Sequence, residues 1–361
     1  MRKNKTVQAV LGGFILIAIG VAMLWINEGN NVKNIKTVAE AREVVIDVVN
    51  SPIDSSNDGK LINVNGEVQI MEGNPYDEQF DLELQTTRLI RKVEVFQWQE
   101  IEEKDSNDNV TYKYDQIWDE GVRDSRTFKN QVGYENPTEV DFESAEFFAE
   151  DVRIGDFKVS EEQLKRFSAT EIFNNFDEIT IPEGYAVDND YITTVSGQEE
   201  IGDIRISFLY NDSETATMLG KQDGDSVVNY RTESGAKINV LRTETYNSTE
   251  MLDLMESQNN VMKWVFRLVG YVLTTMGVFF LFAPITLIAK FIPIVRGLVG
   301  AAIMLVSLLL GTALSTLVIA IAWLFFRPLL GIGLIAISLV LVSLFVKYAK
   351  SKQSAVREDL I

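Results

Sequence analysis

The chain has 361 residues, with 33 Lys plus Arg against 52 Asp plus Glu, a net charge of −19, and neither His nor Cys. That inventory excludes disulfides, thiolate chemistry, the usual zinc sites, imidazole acid–base catalysis and the Ser-His-Asp triad; oxygen-ligand metal sites and carboxylate or Lys-assisted mechanisms survive it. The acid is concentrated, since residues 27–262 hold 50 of the 52 acidic side chains but 21 of the 33 basic ones, and a segment so negative repels phosphate and excludes nucleic acid as its partner.

Residues 1–6, MRKNKT, are a basic tail expected in the cytoplasm. Residues 7–26, VQAVLGGFILIAIGVAMLWI, are apolar apart from one amide, and about 20 helical residues suffice to cross a bilayer core. The run exceeds the apolar region of a usual signal peptide and no small-x-small cleavage site closes it, so the expectation is an uncleaved first span. It ends in LWINEGN, where Trp25 suits the membrane interface.

Residues 27–263 read as a large extramembrane α+β domain, rich in strands. KLINVNGEVQI (60–70), LIRKVEVFQWQEIEE (89–103), VTYKYDQIWDE (110–120), DIRISFLYN (203–211), SVVNYRT (226–232) and AKINVLRTETYN (236–247) are the predicted strands. VAEAREVVIDVV (38–49) is predicted as a helix continuing the first span. ESAEFFAED (143–151) and SEEQLKRFSATEIFNNF (160–176) are predicted as further helices, the latter capped by Ser160 with Glu162 and Gln163 behind it. NSPIDSSNDGK (50–60), EKDSNDN (103–109) and NDSETATMLGKQDGDS (211–226) read as loops. Phe96, Trp98, Tyr112, Tyr114 and Trp118 read as core rather than as a ligand platform.

Further apolar blocks occupy 264–288, 298–326 and 328–346, giving four transmembrane helices, one N-terminal and three C-terminal. Treating 298–346 as a single helix would need about 73 Å, more than twice a bilayer core. Residues 289–297 form the loop between the second and third spans, and 347–361 a tail. Arg2, Lys3, Lys5, Lys290, Arg296, Lys347, Lys350, Lys352 and Arg357 then share one side, which the charge rule makes cytoplasmic. Both termini are expected there, with the 27–263 domain extracytoplasmic.

Arg267, in the first turn of the second span, is placed to snorkel to lipid headgroups. Arg327 falls in a tight reversal that Pro328 opens. Beside Trp323 it can contact headgroup phosphate or the acidic domain, or snorkel without a partner. Gly297, Gly300, Gly311 and Ser315 suit close helix packing, within the set or between copies of a homo-oligomer.

Chemistry-bearing motifs are sparse. DSSNDG (54–59) spaces Asp54, Ser56 and Asp58 as the first half of a calcium loop, but Asn65 stands where a bidentate Glu belongs, and a polar turn is the better account. Gly-Asp pairs at 155–156, 202–203 and 224–225 lie in the soluble part, and the four spans contain no Asp or Glu, so an intramembrane carboxylate dyad has no residues to use. Phosphate-binding glycine loops are absent, and no Ser-x-x-Lys signature stands beside an apolar pocket motif. No catalytic residue, metal ligand or cofactor is expected.

Nine segments in order, INEGN (26–30), GKLINVNGEV (59–68), RKVEVFQWQE (91–100), YKYDQIW to DSRTF (112–128), GYENP (133–137), VRIGDFKVS (152–160), GDIRISF (202–208), MKWVFRLVGYVLTTMG (262–277) and AWLFFRPL (322–329), resemble the LUMA family, also called the transmembrane protein 43 family. The resemblance implies a four-span protein whose large domain lies in the lumen of the endoplasmic reticulum or nuclear envelope in eukaryotes, or outside the cell membrane in bacteria. It further implies a self-associating scaffold that organises membrane protein complexes and has no catalytic residues to carry over. The short N-terminal tail and the lack of His and Cys point to a prokaryotic member. The expected function is a non-enzymatic multi-pass scaffold contacting membrane lipid and membrane protein partners. The alternatives are a membrane-tethered hydrolase or lipid-modifying enzyme using carboxylates or a divalent metal, which a pocket of convergent acids would favour, and a channel or transporter subunit.

Overall fold

A computed structural model of the chain describes residues 2–104, 110–195, 197–289 and 293–328. It divides into two compact units: Met1–Glu43 with Thr232–Ala236 and the residues from Leu252 onward, and Val44–Arg231 with Lys237–Met251. The helices are α1 (Arg2–Val44), the single turn α2 (Glu161–Leu164), α3 (Ser248–Leu281), α4 (Ala283–Ala289) and α5 (Pro293–Phe326).

Three of them, over Thr6–Val44, Ser248–Leu281 and Gly297–Phe326, are long and apolar enough to cross a membrane, one N-terminal and two C-terminal. Apart from Pro328, the fourth span expected over 328–346 lies outside the described residues. The apolar run and its predicted extension form one continuous helix, about 65 Å long at 1.5 Å per residue. It stops at Val44, short of the expected 49, because Val44, Val45, Ile46, Val48 and Val49 are β-branched. Ile46–Asp47 pairs instead, in parallel, with Ile62–Asn63.

α1 and α3 run antiparallel: Gly13 meets Gly277, Gly20 meets Gly270, Asn27 donates to the Lys263 carbonyl, and Asn34 to Asn259. The buried positions of α1 include Gly13, Gly20, Leu24, Asn27, Asn31, Val38 and Ala41. Gly13, Gly20, Asn27 and Ala41 keep a seven-residue register, with Leu24, Asn31 and Val38 on a second one, the seam of a coiled coil.

The second unit holds two main sheets. In one, Leu61–Glu72 pairs with Asp151–Ile154 on one side and Thr215–Asp223 on the other. Phe157–Lys158 and Ser226–Val228 complete the circuit, so five strands close on themselves and leave no open edge within the ring. Ile62, Val64, Val152, Ile154, Phe157, Phe167 and Met218 fill it. Thr215–Asp223 corrects the loop expected over 211–226. Its Thr, Gly, Lys and Asp content mimics a loop, yet Ala216–Gly220 are buried on both faces, as in a strand with partners on each side.

The other sheet runs Ala186–Asp188, Tyr191–Thr193, Ile204–Tyr210, Arg88–Lys104, Val110–Glu120, with Glu171–Phe173 added to Ile204–Tyr210 and Ala145–Phe148 to Arg88–Lys104. Two predicted helices are thereby corrected. In 143–151, Phe147 packs against the core of Phe80, Leu89 and Phe208, while Phe148 packs against the core of the ring. Opposite faces for adjacent residues is the period of a strand. In 160–176 the Ser160–Gln163 capping box forms, but the helix lasts one turn before Glu171–Phe173 pairs with Phe208–Tyr210, sheet pairing overriding local propensity.

Within this unit Arg91 and Asp77 form a buried pair, Nη1 lying 2.7 Å from both carboxylate oxygens. The Arg91 guanidinium lies over Phe80 at 5.4 Å. Burial pushes the Asp77 carboxyl above its ordinary range, against the pull of Arg91.

Candidate functional site

Glycine sets the separation of α1 and α3. A Cβ added to Gly20 would lie 2.5 Å from Thr274 Oγ1 and 2.8 Å from the Gly270 carbonyl, and one at Gly13 would lie 2.7 Å from the Gly277 carbonyl. Backbone therefore touches backbone, and the Thr274 hydroxyl turns back onto the Gly270 carbonyl at 2.8 Å. These four glycines are absent from the small-residue set expected on α5. Their signal in the sequence is the seven-residue spacing from 13 to 20 and from 270 to 277.

The expected set itself divides. A Cβ at Gly311 would collide with Thr275 of α3, and Ser315 is buried with a hydroxyl that has no partner among the described residues. Gly297 and Gly300 instead have nothing within 4 Å of a Cβ. Gly311 and Ser315 thus serve packing inside the unit, whereas Gly297 and Gly300 mark an open stretch of α5.

Above the glycine contacts, α1, α3 and α5 meet around one carboxylate. Glu28 is fully buried. Its Oε1 accepts from Arg267 Nε at 2.7 Å and its Oε2 from Trp323 Nε1 at 2.9 Å, so each oxygen is satisfied by a different helix. The Arg267 guanidinium lies 4.9 Å over Trp264 and 5.9 Å from the ring of Trp323. Arg327 sits 5.9 Å from that same ring, and its backbone N–H donates to the Trp323 carbonyl at 2.8 Å. Trp25 packs at a tilt against Phe325 and Phe326, with ring centroids 5.5 and 5.3 Å away, and Gly29 admits the Phe326 ring, whose Cζ would be 2.9 Å from a Cβ there.

Four expected site residues, Trp25, Arg267, Trp323 and Arg327, are thus brought into one cluster, and INEGN, MKWVFRLVG and AWLFFRPL are the segments that build it. The reading of Arg267 as a snorkelling cation is corrected: its charge is held inside the protein by Glu28. Sequence reasoning missed Glu28 because the first span was ended at Ile26, whereas α1 carries on through it. A charged pair buried among helices is retained only with good geometry and satisfied lone pairs, and both conditions are met here.

The arm formed by Arg88–Lys104 and Val110–Glu120 is the other prominent feature. At its base Glu94 accepts from Arg205 at 2.8 Å and Lys92 at 3.1 Å, and the Arg205 guanidinium lies over Trp118 and Tyr191 at 4.6 and 4.9 Å. Burial is the largest influence on Glu94 and raises its pKa, but the bonds from Arg205 and Lys92 together hold the carboxyl below its ordinary range. Asn136 stands in for a strand at Trp98, accepting from its N–H at 2.7 Å and donating to its carbonyl at 2.9 Å.

Of the five aromatics expected in the core, only Phe96 is buried; Trp98, Tyr112, Tyr114 and Trp118 are half-buried. Trp98 and Tyr114 instead pack against Tyr134, the latter stacked at 3.8 Å, because past Gln97 no described residue of the arm is buried. Val110–Glu120 is the terminal strand of its sheet, an 11-residue edge with no strand on its outer side among the described residues.

The calcium-like loop is a capped turn: Asp54 accepts from Ser56 N at 2.9 Å, and Asp58 from Gln222 and the Gly224 N–H. Among the described residues no group of three or more acidic side chains is arranged to hold a metal ion.

The family model described as "Transmembrane protein 43" matches residues 95–328. Transmembrane protein 43 of Mus musculus is 25% identical over 352 residues, covering 91% of this chain and 87% of that protein. Its Homo sapiens counterpart is 24% identical over 364 residues, with 94% and 90% covered. The Drosophila melanogaster homolog is 27% identical over 351 residues, covering 90% of each. No solved structure matches.

Proposed function

This chain belongs to the transmembrane protein 43 family, and from that premise we propose that it is a non-enzymatic membrane scaffold whose strand-rich unit docks membrane protein partners. The observation that carries the reading is the open outer edge of Val110–Glu120. This eleven-residue strand, paired along its whole length to Arg88–Lys104 on its inner side and to no strand on its outer side among the described residues, offers a partner strand main-chain hydrogen bonds for affinity and alternate side chains for specificity. Natural sheets cover or interrupt edges of that length when nothing is meant to bind there.

In this reading the apolar helices anchor the chain, with both termini cytoplasmic and residues 27–263 extracytoplasmic or lumenal, in the cell membrane of a prokaryote or the endoplasmic reticulum and inner nuclear membrane of a eukaryote. The fourth span over 328–346 belongs to the same arrangement. Self-association runs through Gly297 and Gly300, where a second helix can approach closely.

The test is a photoactivatable amino acid placed singly at Thr111 or Gln116, both exposed on the edge strand, in the full chain within its native membrane. Adducts with other membrane proteins support the reading; the monomer alone, with no adduct from either position, sinks it.

A further inference from the structure

A groove of about 520 Å³ follows α1 and α3 along one side. Its lining changes character with height. Ile19, Met23 and Phe266 form one end, within or opposite the apolar run, and Asn31, Asn34 and Lys263 form the other. From Ile19 to Asn34 is about 22 Å of helix, close to the thickness of one bilayer leaflet with its headgroups, about 20–22 Å.

Two features of the polar end point to an anionic ligand. The first is Asn31, 6% exposed, whose amide lines the groove and makes no hydrogen bond among the described residues. The amide atoms themselves are not sealed from solvent; they open onto the groove, where the amide N–H groups can donate to a ligand oxygen. The second is charge: among the described residues that line the groove, Lys263 is the one ionisable side chain and none is a carboxylate, in a chain of net charge −19. The Lys263 ammonium donates to Asn260 Oδ1 at 2.8 Å and lies 5.9 Å from the Trp264 ring, which leaves two of its three protons without a hydrogen-bond acceptor among the described residues.

We propose that this groove binds one glycerophospholipid, its phosphodiester held by Lys263 and the Asn31 amide, and one acyl chain laid along Ile19, Met23 and Phe266. The assignment goes beyond the scaffold reading and stands without it, since it rests only on the helical unit. A phospholipid supplies both requirements at once, an anion at headgroup height and a methylene chain in the adjoining apolar half.

The test uses the full chain in nanodiscs of phosphatidylglycerol, released into native mass spectrometry, together with a phosphatidylglycerol carrying a diazirine in its acyl chain. The expected result is one lipid retained per chain and labelling confined to 19–26 and Phe266. Lys263→Gln removes a charge-assisted bond and is expected to cut retention roughly tenfold or more. Asn31→Leu cuts it as well. Met23→Trp, filling the apolar end from a half-exposed position, blocks labelling while leaving the circular dichroism spectrum unchanged. Retention untouched by Lys263→Gln and Asn31→Leu, labels elsewhere on the chain, or groove residues cross-linked to a second copy would each overturn the assignment.

Discussion

Replacing Glu28 by Leu removes the anion from two buried donors at once. Arg267, whose side chain is 14% exposed, loses its charge partner, and Trp323 Nε1 loses its acceptor. Breaking a buried ion pair from one side costs about 3–5 kcal/mol, and an orphaned neutral donor about 1–3 kcal/mol more. Arg267→Met is expected to be about as harmful as the first part alone, because it strands a carboxylate that is fully buried. The double variant Glu28→Leu/Arg267→Met replaces the pair with apolar groups of similar reach, and such replacements are often neutral; it is expected to recover most of the loss, keeping only the Trp323 penalty. Glu28→Gln, which still offers an oxygen to Trp323, falls between. Thermal unfolding of the full chain in one detergent, followed by tryptophan fluorescence, reads all four. Single losses that simply add in the double variant, or singles within about 0.5 kcal/mol of wild type as at an ordinary surface position, would refute the clamp.

Gly20→Leu forces side-chain atoms into the Gly270–Thr274 backbone and is expected to cost about 1–3 kcal/mol or more by overpacking, whereas Gly12→Leu, one of the glycines with nothing within 4 Å, melts as wild type in the same assay. Arg91→Met strands the buried Asp77 carboxylate and is expected to destabilise the strand-rich unit by about 3–5 kcal/mol, seen as an earlier loss of β-sheet signal in circular dichroism. Glu94 carries a folded-state pKa below its ordinary value, so its contribution is present above the ordinary carboxyl range and lost as pH falls through the folded-state value. The Tm gap between wild type and Glu94→Gln should therefore shrink toward acid pH; a gap that widens contradicts the pairing. Gly297→Leu and Gly300→Leu are expected to reduce cross-linked dimer in membranes without lowering Tm, since no atom of the described chain packs there.

How far the sequence could be read depended on whether its signals were local. The apolar helices stand out because lipid demands long unbroken runs, and Arg88–Lys104 with Val110–Glu120 because their alternation is long. Thr215–Asp223 was hidden, since a strand paired on both sides and closed into a ring needs small and polar residues that look like a turn in isolation. The helices expected at 143–151 and 160–176 failed for the opposite reason: good local helix formers were taken by strands far away in sequence. Ser160 still capped its turn as its side chain dictates. At the clamp, Arg267, Trp323 and Arg327 were visible as charges and aromatics in apolar surroundings. Glu28 became meaningful only once α1 was seen to continue past Ile26, and the glycine seam only once its seven-residue spacing was matched on two antiparallel helices.

Shortening the arm is the measurement that reaches the scaffold proposal most directly. Removing 99–115 and closing the hairpin at Trp98 and Gln116, which are paired across it, deletes the outer half of the edge and spares the Glu94–Arg205 clamp. Complexes captured from native membrane by mild extraction should contain other membrane proteins with the full chain, and lose them with the shortened one while its thermal unfolding stays close to wild type. Identical complexes from both chains would contradict the account.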